Sequence, residues 1–221
     1  MTLIMFAQYT DHAIVLMDTL VTTPEGSAVA LEQKFWPFPQ LNAVVAATGN
    51  REIVSSWCEE FVRDGITDVE ALHAAALAQL RAHDAKLREA HGEIGPTTVR
   101  VFAYPQNADQ LVRYEYNSRN GYEGTIHTRE QFHIRPAPLA LQPRGDEGPD
   151  EMIAFAQLIQ AEQDRRPPGE RIAIGGDLLC AIIQRSGVDV RHIHRFDNYS
   201  DTLRQIAEST PPSRESEADD A

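Results

Sequence analysis

Two nearly continuous apolar runs stand at the head of the chain, residues 2–9 (TLIMFAQY) and residues 13–17 (AIVLM), split only by Thr10-Asp11-His12. A hairpin with one wet face alternates apolar and polar side chains. These runs do not alternate, so the hairpin they predict is covered on both faces. With the turn centred near Asp11, residues whose numbers sum to about 22 lie opposite one another. Thr2 then faces Leu20, and Asp18 is a diagonal step away on the same face. A second hairpin is predicted from residues 27–35 and 43–47, which flank a turn holding Pro37 and Pro39. It delivers Lys34 from a neighbouring strand.

Thr2, Asp18 and Lys34 follow one another at equal sixteen-residue steps. Thr2 comes directly after Met1, and methionine aminopeptidases remove Met ahead of a side chain this small. Removal leaves a hydroxyl and a free α-amine on one residue, a nucleophile with its base attached. An α-amine titrates near ~8, so part of it is neutral and ready to accept a proton at neutral pH. Asp18-Thr19 also reads as a strand-end turn and Lys34 as a solvated lysine. Lys34 stands immediately before Phe35-Trp36, however, where a charge needs an acidic partner, and Asp18 supplies one.

The first quarter of the chain resembles the proteasome β-subunits and the bacterial HslV peptidase, N-terminal-nucleophile hydrolases with a threonine nucleophile. The stretch AIVLMDTLVT, with Asp18 and Thr22 in register, matches a family stretch like VIVAADSRAT, and the alignment runs without a gap from Thr2 through Lys34 to Ala47-Thr48-Gly49. The resemblance implies an α+β chain forming a four-layer αββα sandwich, the proteasome-like fold. It implies Thr2, Asp18 and Lys34 as the catalytic trio and backbone N–H groups at Thr48 and Gly49 for the oxyanion. It places Val21, Glu32, Trp36, Ala46 and Asn50 around the substrate side chain, calls for no cofactor or metal, and gives a self-compartmentalising ring of identical copies. Such a ring takes unfolded protein or peptides and relies on a separate ATP-dependent unfoldase for folded ones.

Four departures stand against the match. Thr48 occupies the place of the oxyanion glycine. Arg171 and Ile174 stand where the family has an Asp and a Ser that support the amine, leaving Asp177 and the loop 145–148 as replacements. One helix fits before Gly175-Gly176 where the family has two. While Met1 is attached, Thr2 has no free amine.

Further along, sheet and helix alternate. A helical stripe over residues 50–63 closes at Asp64-Gly65. Thr67-Asp68-Val69-Glu70 is a capping box opening a long helix to about Ala90, whose small residues Ala74, Ala75, Ala76 and Ala78 allow close packing. Residues 99–104, 110–117 and 121–134 read as a meander turning at Asn120-Gly121. A helix over 149–164, a Pro-rich loop, strands over 172–185 and 188–196 and a short helix over 201–208 complete one domain, residues 1–209. Residues 210–221 carry one Arg against four acids and read as a disordered acidic tail.

A chain of 221 residues suits a single core. Its formal charge of −13 argues against nucleic-acid binding, which needs clustered Lys and Arg. No apolar run reaches the ~18 residues of a membrane span, no signal peptide is evident, and Cys58 and Cys180 read as buried thiols of a cytoplasmic protein. His192 and His194 share a strand face without a third ligand. Besides the peptidase, an amidase or acyl transferase using the same Thr2, and a catalytically silent proteasome-like scaffold, remain open readings.

Overall fold

The structure, a computed structural model, describes residues 2–23, 26–106, 108–138, 148–167 and 169–209. The tail reading for residues 210–221 lies outside the described residues, as do residues 145–147 of the loop named above.

Strands β1 (Ile4–Gln8) and β2 (His12–Asp18) form the leading hairpin. Tyr9 N–H closes it onto His12 O at 2.8 Å, so the loop is only Thr10-Asp11 and His12 already belongs to a strand. That loop sets paired residues to sums of 21, as in Ile4 with Met17 and Gln8 with Ala13. The expected register was one residue longer, and the correction brings Leu3 level with Asp18. The hairpin lies inside a sheet ordered β10-β1-β2-β11-β12, with β10 (Gln131–Arg135), β11 (Asp177–Gln184) and β12 (Gly187–Arg195).

The second predicted hairpin divides. Its first half is β4 (Ala28–Leu31), which pairs with β3 (Leu20–Thr22) as a separate two-stranded ribbon. Pro37, expected in the turn, lies instead in β5 (Phe35–Phe38), which pairs with β6 (Ala43–Thr48). Lys34 lies in the break between ribbon and sheet. The sheet continues as β5-β6-β7-β8-β9, with β7 (Thr98–Ala103), β8 (Val112–Asn117) and β9 (Thr125–His127). The third meander segment also divides, since β9 stays on this sheet while β10 crosses to pair with β1.

Alternation along the strands sorts the core into three clusters. Ile4, Phe6, Val15 and Met17 meet Phe35, Val44, Ala46 and Phe102 between the two larger sheets. On the outer face of the second sheet, Val45, Val99 and Val101 pack under α1 (Arg51–Arg63) and α2 (Val69–His91). On the outer face of the first, Met5, Leu16 and Cys180 pack under α3 (Pro149–Asp164). Asn50 caps α1 by accepting from Glu52 N–H at 2.9 Å, and Asp68 caps α2 by accepting from Ala71 N–H at 2.6 Å. Trp57 and Phe61 are the largest buried side chains of α1, both at most 1% exposed, worth about 2–3 kcal/mol each. Of the four alanines noted on α2, Ala76 alone is buried. Its core contact comes instead from Leu72, Leu80 and Leu87.

The expected four-layer αββα sandwich is corrected by this arrangement. The chain is a mixed α+β fold with three antiparallel sheets and four helices among the described residues, the ribbon standing apart. Its helical cover is uneven, because among the described residues one helix alone lies between β10 and β11. α1 and α2 pair over one sheet, α3 covers the other, and α4 (Tyr199–Ser209) packs against β4 of the ribbon. Among the described residues no helix is long and apolar enough to cross a membrane.

Candidate active site

Thr2, Asp18 and Lys34 meet. Asp18 ends β2 with no exposed surface. Its Oδ1 accepts from Thr2 Oγ1 at 2.6 Å, from Leu3 N–H at 3.0 Å and from Lys34 Nζ at 2.9 Å. Its Oδ2 takes a longer bond, 3.4 Å, from Gly175 N–H. Lys34 Nζ also donates to Thr2 Oγ1. The Lys34 side chain is 11% exposed. Burial holds its ammonium below the usual lysine range, against an upward pull from Asp18. The Lys34 ammonium favours a negative charge on the Thr2 oxygen, while the Asp18 carboxylate opposes that charge and serves to hold hydroxyl and ammonium together.

The trio opens into a pocket of about 110 Å³ lined by Thr2, Val21, Thr22, Lys34, Trp36, Ala47, Gly49, Asn50 and Arg51. Val21, Trp36 and Asn50, expected around the substrate side chain, line this pocket, and so does Gly49, expected for the oxyanion. Ala46 does not: it is fully buried between the sheets, and alternation turns Ala47 to the pocket instead. Glu32 stands behind the rim, its Oε2 2.8 Å from Arg51 Nη1. Thr48 pairs with Thr98 at the end of β6 and is not a lining residue. Sequence reasoning missed Ala47, Arg51 and Thr22 as lining residues. Strand parity held the signal for the first, and the Asn50 cap, which places Arg51 at the head of a helix, held it for the second.

Gly49 is fixed by its surroundings. Its φ is +106°, and a Cβ there overlaps Pro96 O and lies 2.7 Å from Thr97 Cα. Gly49→Ala is therefore expected to cost more than about 3 kcal/mol. Urea unfolding of the variant beside the parent measures it, and an unchanged midpoint contradicts this account of the turn.

Other predicted residues lie elsewhere. Ile174 is buried in the cluster under α3 and Arg171 is exposed, so neither serves Thr2. Asp177 turns to Arg195 Nε at 2.7 Å and His192 Nε2 at 2.9 Å. His194 sits 3.3 Å from Gln157, so the two histidines have separate partners. Cys58 and Cys180 are buried thiols; burial raises both pKa values, that of Cys180 to about 11, which disqualifies them as nucleophiles at neutral pH. The glycine pair contributes more than expected: Gly175 N–H reaches Asp18, and Asp177 N–H donates to Thr19 Oγ1 at 2.8 Å, tying β11 to the end of β2.

Among solved structures the fold is similar to the helical assembly of the Anbu complex from Pseudomonas aeruginosa. The TM-score is 0.64 with 14% identity over 96% of this chain and 98% of that one. It is similar also to Anbu (ancestral beta-subunit) from Yersinia bercovieri, with a TM-score of 0.59 and 10% identity over 93% and 92% of the two chains. The likeness is one of fold alone. No protein-family model matches the chain, and no curated protein matches it. The resemblance to proteasome β-subunits and HslV is corrected here: these two structural neighbours are Anbu chains, a distinct family with a proteasome-like fold, and no threonine peptidase activity comes with that relation.

Proposed function

We propose that this chain cleaves amide bonds with Thr2 as its nucleophile, acting as a threonine-type endopeptidase on peptides and unfolded segments. The observation that carries the reading is the Thr2 hydroxyl held by Asp18 and Lys34 at the mouth of a pocket. Once Met1 is removed, the Thr2 α-amine, directly or through a water, takes the proton from Oγ1 as that oxygen attacks the substrate carbonyl. The Lys34 charge favours the alkoxide, and the N–H of Gly49, on the pocket wall, meets the developing oxyanion. Collapse of the tetrahedral intermediate expels the amine half, which takes the proton from the α-amine, and leaves an ester on Thr2. Water, activated by the same amine, hydrolyses that ester and restores the hydroxyl. A pocket of about 110 Å³ admits a small side chain.

The Pseudomonas Anbu is described as a helical assembly, and we extend self-assembly to this chain; entry of folded substrates then calls for an ATP-driven unfoldase. A second reading, a silent scaffold, is favoured by one observation: Ile174 and Arg171 offer the Thr2 amine no polar support.

Intact mass before and after incubation with an epoxyketone tests the choice, since that warhead captures a hydroxyl and a free amine on one residue. Loss of Met1 and a single adduct mapping to Thr2 are expected. Unmodified protein across a panel of warhead side chains, with Met1 absent, supports the scaffold instead.

A further inference from the structure

The space between the two larger sheets is not apolar throughout. Arg100 on β7 and Arg113 on β8 project into it, 4% and 1% exposed. Their guanidinium carbons lie 5.8 and 4.6 Å from the centroid of the Phe6 ring, and His133 stacks on the same ring at 5.0 Å. Among the described residues one carboxylate answers them. Glu115 Oε2 accepts from Arg100 Nε at 2.9 Å and lies 3.9 Å from Arg113 Nε. Gln131 Oε1 accepts from Arg113 Nη2 at 2.6 Å. Among the described residues, Arg100 Nη1, Arg113 Nε and Nη1, and His133 Nε2 have no hydrogen-bond partner.

Two buried guanidinium groups facing one carboxylate leave a positive charge uncompensated. Its effect reaches the neighbours. Burial, then Arg100 and Arg135, push the His133 pKa down to about 4, while burial, with Arg100 adding to it, lowers Arg113 to about 10. Burying a charge without a counter-ion is costly, and neutral water supplies acceptors but no charge. The chain as a whole carries −13, so a pocket of excess positive charge in its interior is a local device and not a consequence of composition. Gln131, which accepts from Arg113, also lines a groove of about 430 Å³ along residues 126–131.

We propose that Arg100 and Arg113 form a binding site for a small oxyanion, a carboxylate or inorganic phosphate, reached past Gln131. Arginine forks match such planar or tetrahedral oxygens. The site lies within the sheet-to-sheet interface, apart from the Thr2 pocket, and the inference does not depend on the function proposed for Thr2.

Isothermal titration of the full chain with sodium acetate and, separately, sodium phosphate in low-salt buffer tests it. One saturable site per chain is expected for at least one of the two anions, and the tighter of them names the ligand class. Arg113→Met should weaken that binding by at least about tenfold. Glu115→Gln keeps the shape of the cluster, removes the competing carboxylate and should tighten binding several-fold, so it decides the matter if Arg113→Met does not fold. No saturable uptake of either anion, or the same affinity in the parent and Glu115→Gln, overturns the proposal.

Discussion

Thr2→Ala abolishes peptide hydrolysis, with an expected loss of at least ~10³-fold, and leaves the fold in place. Removing a nucleophile takes away the covalent route and leaves only what the binding groups provide. The structural cost is small because Asp18 keeps its bonds from Lys34 Nζ, Leu3 N–H and Gly175 N–H when the Thr2 hydroxyl is gone. About 1 kcal/mol is expected in urea unfolding, the usual net worth of one hydrogen bond. A variant that cleaves peptides at the parental rate removes Thr2 from the mechanism. One that unfolds shows that Thr2 has a structural part.

Asp18→Asn is the second large effect, and it is on stability as well as activity. Asp18 has no exposed surface and the Lys34 side chain is 11% exposed. Removing the carboxylate leaves a buried ammonium facing a neutral amide, and breaking one side of such a pair costs about 3–5 kcal/mol. The pH dependence has a definite sign. Lys34 already titrates below its ordinary value because of burial, and Asp18 is the largest influence raising it. Without that influence the folded-state pKa falls further, so below the unfolded lysine value near ~10.4 the unfolded chain holds more of this proton than the folded one does. Stability tied to Lys34 is then complete above that value and is lost as pH falls through the lowered folded pKa. Denaturant unfolding at pH 7 and pH 9.5 should show the gap between Asp18→Asn and parent narrowing at the higher pH. An equal gap at both removes Lys34 as its cause.

The sequence was most legible where periodicity and capping act locally. The stripe opening at Asn50 and the capping pattern Thr67–Glu70 announced α1 and α2 to within one or two residues, although the cap of α2 is Asp68 and not Thr67, and the apolar hairpin announced a sheet covered on both sides. It was less legible where a tertiary partner decides. Residues 27–35 look like one strand, yet Ala28–Leu31 finds β3 while Phe35–Phe38 finds β6. Nothing local separates the two halves except the polar run Glu32-Gln33-Lys34. Residues 121–134 divide for the same reason, one part following β8 and the other reaching β1. In the site, the meeting of the trio was readable from the strands between its members and from the need of Lys34 for an acidic partner, not from spacing alone. Ala46 was misplaced by one position because a pocket wall depends on strand parity. The role of Gly175 depends on a bond across 157 residues, which no local pattern encodes.

That long-range bond also sets a clock. The first two members of the trio are made within the opening residues and the third soon after, so they emerge from the ribosome early. The strand that closes over Asp18 is β11, which begins at Asp177 and pairs along β2 through Gln184. Until it arrives, β2 has an open edge and the buried carboxylate lacks its last donor. A growing chain therefore carries an unfinished site until residues 177–184 have been made.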